Sequence, residues 1–327
     1  MYQGLDSYTS QIYSPIKEDL ALVEEKLQNL SNVGTDYLPE LFTYVSEKGG
    51  KRIRPALTLL AASFHPHERN VSRLMAAGVE MLHLATLVHD DTVDNSPIRR
   101  GRATVGEMWG RNVAVLLGDY IFATSASFVC DTNNIRVIRR FCETIMELSS
   151  GELLEYFYKN NWQQNRDNYL DRIYRKTASL FSTACESGSV VSGAPEEVVQ
   201  SLKSYGHNIG IAFQIVDDIL DIQGDANEIG KPVGNDLLEG VLTLPSIMLL
   251  ERSDEHNPVR TLFEHNGQTA YLEKALEAIQ NSTIIEDSYA TVREYCLKAQ
   301  SALKILPETP AAHSLHQLCN YVMERRA

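Results

Sequence analysis

Apolar residues recur every three or four positions through most of this chain, which is the period of an amphipathic helix. The first such segment covers residues 5–30, and Pro15 marks the start of its regular part. No segment shows a convincing alternation of period two, which is the pattern of a strand. The pattern therefore predicts an all-α fold, in which helices bury their apolar stripes against one another.

Two of the predicted helices are long and end in acidic motifs. One begins at about Ser72 and is apolar nearly all round, which predicts a buried central helix. The other covers residues 195–221. Residues 104–130 form another helical stretch, in which we expect interruptions near Gly110 and Gly118.

The longest loop-like segment covers residues 224–240 and contains four glycines and a proline, which makes it a candidate lid. No linker rich in Gly, Ser or Pro divides the chain. We therefore expect a single domain over residues 1–327.

Three carboxylates, Asp90, Asp91 and Asp94, lie at the end of the first long helix. Asp90 and Asp94 are four residues apart and therefore share a face, where their like charges repel each other. A divalent cation reverses that effect, and Mg²⁺ is typically bound through one or two carboxylates plus substrate phosphates. Taken alone, the motif is equally compatible with a solvated acidic turn.

The same spacing returns at Asp217, Asp218 and Asp221, again after an apolar helical run. Two acidic helix ends that are far apart in sequence can face each other across a cavity and offer six carboxylates to a cluster of metal ions. The repetition favours a metal site over two unrelated solvated turns.

Basic residues concentrate in two short segments. Lys51 and Arg54 follow two glycines and precede Pro55, which fits the first turn of a helix. The N-terminus of such a helix favours an anion. Arg99 and Arg100 follow the first acidic motif and suit diphosphate oxygens. The alternative for either segment is a solvated basic turn.

His83 interrupts the apolar pattern seven residues before Asp90. Seven residues are close to two helical turns, so His83 can share the cavity face with Asp90. A lone histidine is otherwise more often a satisfied core residue.

Composition narrows the possible partners and the compartment. The 327 residues are 43% hydrophobic, and the net charge of −13 argues against nucleic acid as a partner. The five cysteines show no C-x-x-C pairing and are expected to be buried free thiols in a reducing compartment. We see no signal peptide and no apolar run of about 18 residues, so we expect a cytoplasmic protein without a transmembrane segment.

The motifs, in this order, resemble those of the trans (all-E) isoprenyl diphosphate synthases of the polyprenyl synthetase family. The resemblance covers roughly residues 40–250. The matching segments are G-G-K-R-I-R-P (49–55), H-L-A-T-L-V-H-D-D-T-V-D (83–94), R-R-G (99–101), K-T-A (176–178), F-Q-I-V-D-D-I-L-D (213–221), G-K-P (230–232) and G-N-D-L-L-E-G-V-L-T-L-P (234–245).

This resemblance implies a bundle of long antiparallel helices around a deep central cavity, and a homodimer. It implies a head-to-tail 1′-4 condensation, in which an allylic diphosphate ionises and isopentenyl diphosphate attacks the allylic cation. Loss of a proton then leaves a chain that is one isoprene unit longer.

The resemblance also assigns the metal site. It implies that Asp90, Asp94 and Asp217 bridge about three Mg²⁺ ions to the allylic diphosphate. Three further carboxylates hold metal-bound water or the outer shell. They are Asp91, Asp218 and Asp221.

Two groups of substrate contacts follow from the resemblance. Arg99, Lys176 and Lys231 contact the allylic diphosphate. Thr177 and Gln214, which form the catalytic group together with Lys176, present oxygens to the developing cation. Isopentenyl diphosphate, which carries no bridging metal, is bound by other residues. These are Lys51, Arg54, His83 and Arg100.

One departure concerns the lid. Many members of the family have lysine where this chain has Val241, which leaves the contribution of a lid cation at this position open. The metal motifs are unaffected.

Product length depends on the helix that carries the first motif. Ala85 and Thr86 lie five and four residues before Asp90, roughly 6–7.5 Å along the helix axis. In short-chain relatives bulky aromatic residues near this point form a floor, whereas both residues here are small. We expect a product longer than farnesyl diphosphate. Geranylgeranyl or farnesyl diphosphate is the alternative.

Two other function classes are weighed against this prediction. A class I terpene cyclase normally carries a different second metal motif and lacks G-G-K-R-I-R-P. A non-catalytic subunit that pairs with an active synthase usually loses its Asp motifs. The sequence leaves the primer, the product length and the need for a second subunit open.

Overall fold

The computed structural model of the protein describes residues 7–30, 37–46, 50–223, 233–252, 256–265 and 268–325. These residues are almost entirely helical, which confirms the predicted all-α class. The helices of the first half are α1 (Ser7–Ile12), α2 (Lys17–Asn29), α3 (Leu38–Ser46), α4 (Ile53–Ala62), α5 (Arg69–Val93), α6 (Val105–Trp109), α7 (Arg111–Cys130) and α8 (Ile135–Tyr158). The second half contains α9 (Arg166–Ile173), α10 (Ser179–Val191), α11 (Glu196–Gln223), α12 (Asn235–Leu238), α13 (Leu244–Arg252), α14 (Pro258–Glu264), α15 (Thr269–Gln280), α16 (Ile284–Ala302) and α17 (Pro310–Glu324).

The chain folds into two compact units, each assembled from separate stretches of sequence. The first comprises Met1–Glu143, Leu180–Gly206 and Ala302–Leu318. The second comprises Thr144–Ser179, His207–Ser301 and Cys319–Ala327. The first acidic motif belongs to the first unit and the second acidic motif to the second.

The core of the first unit lies around α5, which packs extensively along α7 and also contacts α2 and α4. Gly78 permits the close approach of α7, because a methyl group at this position would lie only 2.7 Å from Val129 Cγ2. The side chains of Met75, Val79 and Leu82 are buried almost completely. The prediction of a buried central helix is confirmed, although α5 begins at Arg69, before the expected Ser72.

The C-terminal part of α11 belongs to the core of the second unit. Ile215, Val216 and Ile219 of α11 are fully buried, and so are residues of the later helices such as Ile279 and Val292. The amide of Gln280 on α15 donates a hydrogen bond of 2.8 Å to the carbonyl of Ile222, near the end of α11. This unit thus supports the helix end that carries the second acidic motif.

Two expected helix boundaries differ from those observed. Pro15 lies in a separate 3₁₀ turn, Ser14–Ile16, which divides the first predicted helix because proline lacks an N–H donor. The interruption at Gly110 is confirmed by its positive φ of 91°. The interruption at Gly118 is wrong, since α7 continues through it. A methyl group there would lie 2.2 Å from His89 Nε2, so this glycine makes room for the histidine ring.

A small antiparallel ribbon follows α5, although no segment of the chain was predicted to be a strand. Strands β1 (Ile98–Arg99) and β2 (Arg102–Ala103) pair with Ile98 opposite Ala103 and Arg99 opposite Arg102. The connecting residues Arg100 and Gly101 both have positive φ, of 51° and 72°, as a tight two-residue hairpin requires.

All five cysteines are free. Cys185, Cys296 and Cys319 are buried as predicted. Cys130 and Cys142 are exposed, so the prediction of burial is wrong for these two.

Among the described residues, α5 and α7 are long and apolar enough to cross a membrane by length and composition alone, a test that core helices of globular proteins also pass. In the most apolar part of α5, 67% of the residues are buried, as in the core helix of a globular fold. The corresponding share of α7 is 33%, so much of its apolar surface is exposed.

Candidate active site

The first acidic motif closes the central helix of the first unit. Asp90 and Asp91 lie in the last turn of α5, and Asp94 follows as its C-terminal cap. The amide of Asp94 donates to the carbonyl of Asp90 at 2.9 Å, so the helical spacing is kept and the two residues lie one turn apart. Carboxylates near a helix C-terminus also meet the negative end of the helix dipole. Both effects favour a bound cation.

The ribbon after α5 brings Arg99 back to this motif. Its Nε donates a hydrogen bond of 2.6 Å to Asp91 Oδ1. Tyr44 fixes the ribbon to α3, because its hydroxyl donates to the carbonyl of Ala103 at 2.7 Å and its ring lies 4.2 Å from the guanidinium of Arg102. Asp91 is thus already neutralised by the protein, whereas Asp94 is exposed.

The predicted anion-binding residues also come together in the first unit. Gly50 lies against Arg100, since a methyl group on Gly50 would be 3.2 Å from Arg100 Nη2. The guanidinium of Arg54 lies over the ring of Phe181 at 4.7 Å. Lys51 is exposed, and its carbonyl accepts a hydrogen bond of 3.0 Å from the hydroxyl of Tyr13.

The pKa of His83 responds to the positive charge of this cluster. Burial, and then the charges of Arg54, Arg100 and Arg99, lower the pKa of His83 well below its usual value of 6.5. Partial burial, followed by the charge of Arg99, also lowers the pKa of Arg100. A neutral imidazole can still donate a hydrogen bond to an anion. Unlike a protonated imidazole, it adds no further positive charge next to the arginines.

The second acidic motif lies near the end of α11, in the second unit. Asp217 and Asp221 are half-buried, whereas Asp218 is buried. The hydroxyl of Tyr169 donates to Asp218 Oδ2 at 2.6 Å, and the amide of Gln214 donates to Asp218 Oδ1 at 2.8 Å. Burial is the largest effect on this carboxyl and raises the pKa of Asp218 to about 7.

Thr177 and Gln214, which the sequence assigned to one step of the reaction, are in direct contact. The Thr177 hydroxyl donates to Gln214 Oε1 at 2.7 Å. Since the Gln214 amide then donates to Asp218, the three side chains and Tyr169 form one chain of hydrogen bonds.

A π-helical turn, Tyr174–Ala178, displays Lys176 and Thr177 between α9 and α10. Gly151 of α8 packs directly against it, because a methyl group there would lie 2.7 Å from the backbone nitrogen of Lys176. The ammonium of Lys176 binds Glu152 at 3.0 Å and Glu155 at 2.7 Å. An incoming diphosphate would therefore compete with these carboxylates for the lysine.

The structure adds two residues that the sequence analysis did not assign. The backbone amide of Asp236 donates to Asp221 Oδ2 at 3.2 Å, and burial, followed by the charges of Asp221 and Asp218, raises the pKa of Asp236 well above its usual range. The signal was available, since Asp236 lies in the matching segment 234–245. Arg325, near the end of the chain, binds Asp217 at 2.5 Å while lying 4.9 Å from the ring of Phe213. No local pattern indicated this pair.

The donor sets fit a hard divalent cation such as Mg²⁺. Each motif offers carboxylate oxygens, and guanidinium groups already neutralise one carboxylate of each, Asp91 and Asp217. In the described part of the chain, no three His, Cys, Asp or Glu side chains are gathered tightly enough to hold a metal by themselves. Remaining ligands would come from water and diphosphate, as is usual for Mg²⁺.

Four other positions were predicted, two in or next to the candidate lid and two on α5. Lys231 lies outside the described residues, as do residues 224–232 of the candidate lid. Val241 is buried, with its amide donating to the carbonyl of Asp236 at 2.8 Å, so this position supplies no cation. Ala85 is fully buried, whereas Thr86 is half-buried and its hydroxyl donates to the carbonyl of His83 at 2.8 Å.

The chain is similar to several known proteins. A family model described as polyprenyl synthetase matches residues 35–284. The heptaprenyl diphosphate synthase component 2 of Geobacillus stearothermophilus is 38% identical over 96% of this chain and 98% of its own length. The octaprenyl diphosphate synthase of Escherichia coli is 34% identical over 94% and 96%.

Among solved structures, a polyprenyl synthase from Caulobacter crescentus has a TM-score of 0.92 and 30% identity over 100% of both chains. That structure is a complex with calcium and isoprenyl diphosphate.

Proposed function

The chain belongs to the polyprenyl synthetase family, and we propose that it is a Mg²⁺-dependent prenyltransferase that lengthens an allylic diphosphate with isopentenyl diphosphate. Its product is an all-trans polyprenyl diphosphate, built by successive head-to-tail condensations. Two relatives that match nearly the whole chain, at 38% and 34% identity, are a heptaprenyl and an octaprenyl diphosphate synthase, which supports a product longer than farnesyl.

One observation carries this proposal. A single unit combines a metal-type carboxylate motif with a cationic anion site, and helix α5 contributes to both through Asp90 and His83. A class I terpene cyclase has no need of a second anion site. The arrangement therefore favours an enzyme with two diphosphate substrates.

The proposed roles divide by substrate. Lys51, Arg54, His83 and Arg100 hold the isopentenyl diphosphate. The arginines supply charge, and neutral His83 supplies a hydrogen bond. Arg99 and Lys176, with Lys231, hold the allylic diphosphate once Arg99 leaves Asp91 and Lys176 leaves its two glutamates.

The bond between the allylic carbon and its diphosphate breaks, the double bond of isopentenyl diphosphate attacks the cation, and the released diphosphate takes the proton. Asp90, Asp94 and Asp217, together with Asp91, Asp218 and Asp221, would hold about three Mg²⁺ ions, which would supply positive charge against the departing diphosphate. Thr177 fixes the Gln214 side chain, so that its carbonyl oxygen keeps a set direction beside the reacting carbons.

We also propose that residues 1–327 act as one polyprenyl synthetase domain, as a homodimer, in the cytoplasm. Exposed apolar side chains support association. They include Val115 and Leu116 on α7 and Met146, Leu153, Tyr156 and Phe157 on α8.

A second candidate is a catalytic component that needs a different partner chain. It is favoured by the relative from Geobacillus stearothermophilus, which is component 2 of a heptaprenyl diphosphate synthase. Under this alternative the chain alone is inactive and a second protein restores turnover.

The test uses the purified chain with Mg²⁺, isopentenyl diphosphate and an allylic primer, with chromatography of the dephosphorylated products. Product formation by the chain alone supports the first candidate. Asp90→Ala and Asp217→Ala should each reduce turnover by about a hundredfold or more while the helical circular dichroism is kept. Near-normal turnover in either variant would contradict the metal assignment.

A further inference from the structure

Arg52 lies between two proposed substrate contacts, Lys51 and Arg54, but its side chain is engaged elsewhere. Its Nε and Nη2 bind the two carboxylate oxygens of Glu24 at 2.8 and 3.0 Å. Its Nη1 binds Glu80 Oε1 at 2.6 Å. The exposed fractions of these side chains are 9% for Arg52, 18% for Glu24 and 9% for Glu80, so the triad is nearly closed to water.

The backbone of Arg52 is unusual as well. It precedes α4 in the left-handed region, with φ 52° and ψ 31°. Glycine adopts this region freely and Asn or Asp tolerate it, but a long side chain is disfavoured there. The conformation persists only where surrounding contacts hold it, and the three charge-assisted hydrogen bonds of the triad are such contacts.

The triad ties together three elements of the first unit. Glu24 comes from α2, Glu80 from α5 and Arg52 from the turn before α4. On the other side of the same turn, the buried Tyr13 holds the carbonyl of Lys51. The turn is therefore fixed on both sides of the Lys51–Arg52 peptide.

The charges of the triad do not cancel. Two carboxylates and one guanidinium leave a net negative charge, and Glu80 acts favourably on the nearby Arg100. Burial opposes the charged form of Arg52, but the charge of Glu80 and the bonds to Glu24 outweigh it and raise the pKa of Arg52. The surplus negative charge offsets part of the mutual repulsion among the cations of the proposed anion site.

We propose that Arg52 is a positioning residue for the isopentenyl diphosphate site: the Glu24–Arg52–Glu80 triad holds the turn in its left-handed conformation and thereby sets Lys51 and Arg54. This inference rests on the proposed function for the identity of the substrate. Arg52 itself touches no substrate. Lysine cannot replace it fully, because a single ammonium does not reproduce a guanidinium fork that binds one carboxylate with two nitrogens and a second with the third.

The chain offers a matched control for this triad. Arg73 on α5 binds Asp19 on α2, with Nε 2.7 Å from Asp19 Oδ1. This ion pair joins the same two helices as the triad but does not include the turn. Arg73→Met therefore removes a comparable link without changing the backbone of residues 51–54.

The experiment compares Arg52→Met, Arg52→Lys, Glu24→Gln and Arg73→Met by steady-state kinetics and by thermal unfolding. Arg52→Met should raise KM for isopentenyl diphosphate by about tenfold or more, because small misplacements of binding groups weaken binding strongly. KM for the allylic diphosphate should change less than about twofold, within the scatter of a mutation away from that site. Arg52→Lys and Glu24→Gln should show the same selective effect, more weakly.

Arg73→Met should lower the unfolding temperature and leave both KM values near those of the wild type. Equal changes in the two KM values of Arg52→Met, or an unchanged KM for isopentenyl diphosphate, would overturn the proposal. If Arg52→Met does not fold, Glu24→Gln decides by the same criterion.

A binding measurement separates this proposal from the function. Calorimetric titration of each protein with inorganic diphosphate, without metal, tests the cationic turn directly. An affinity for diphosphate that falls about tenfold in Arg52→Met but not in Arg73→Met supports the positioning role. This holds even if the wild type forms no prenyl product. Equal affinities of the two variants refute the positioning role while leaving the proposed function to its own assay.

Discussion

His83 illustrates how a single residue depends on its surroundings. Its lowered pKa means that the folded protein resists protonation while the unfolded chain binds a proton near pH 6.5. This residue therefore reduces stability as the pH falls below about 6.5, and it has no such effect above that pH. We predict that His83→Gln loses less stability than the wild type between pH 7 and pH 5.5, measured by urea unfolding without metal. Parallel losses would contradict the assignment of a neutral imidazole.

Tyr169 and Asp218 provide a second prediction at this scale. Tyr169→Phe removes a hydrogen bond to a buried carboxylate and should lower the free energy of unfolding by about 1.5–3 kcal/mol at pH 8. The loss should be smaller at pH 6, because Asp218, with its pKa raised to about 7, is then mostly protonated.

Tyr205→Phe is the control for Tyr169→Phe. Tyr205 is also buried, but its hydroxyl donates to the neutral carbonyl of Leu315 at 2.8 Å. Tyr205→Phe should therefore lose the same amount of stability at pH 6 and at pH 8. A Tyr169→Phe effect that is equally independent of pH would show that Asp218 does not titrate in this range.

At the scale of elements, the sequence predicted the features that depend on a regular spacing of residues. Helical periodicity located the long helices, and the spacing of Asp90 and Asp94 correctly indicated carboxylates one turn apart. The predicted interruption at Gly118 is wrong, because a glycine inside a helix can mark either a break or a close contact. Only the position of the His89 ring shows that it is a close contact here. The Arg52 triad and the Asp217–Arg325 pair could not be predicted, since each joins residues that are distant in sequence.

The contact between α8 and the π-helical turn gives a prediction for one element. Gly151→Ala would place a methyl group 2.7 Å from the Lys176 backbone and should displace the turn that carries Lys176 and Thr177. We expect a reduction in kcat of about tenfold or more, since displaced catalytic groups lose rate steeply.

Gly188→Ala is the matched control for that substitution. A methyl group at Gly188 would meet the backbone carbonyl of Thr58 at 2.2 Å, a close contact between α10 and α4. It should lower stability by about 1–3 kcal/mol through overpacking. If kcat falls equally in both variants, the effect of Gly151→Ala reflects general destabilisation.

At the scale of the whole molecule, α7 exposes apolar surface that a lone chain would leave in water. Leu116 is 68% exposed, and Val115 beside it is 40% exposed. We predict that the protein sediments as a homodimer and that Leu116→Glu shifts it towards monomer. Leu297→Glu, at a side chain of α16 that is 58% exposed, should leave the dimer intact. A wild type that is monomeric at micromolar concentration would contradict the proposed association.

Product length depends on the molecule as a whole, because we expect the growing chain to extend alongside α5 and the helices packed against it. Ala85 is only 1% exposed, so a ring at this position must displace packed neighbours, whereas Thr86 is half-buried and offers more space. We therefore predict that Ala85→Phe and Thr86→Phe both shorten the product, with a greater loss of stability in Ala85→Phe, of about 1–3 kcal/mol. Thr86→Val keeps the volume and removes only the hydrogen bond to His83, so it should leave the product length unchanged. Chromatography of the dephosphorylated products measures all four proteins. A wild type that stops at farnesyl diphosphate, or phenylalanine variants that keep the wild-type distribution, would show that the product extends along a different path.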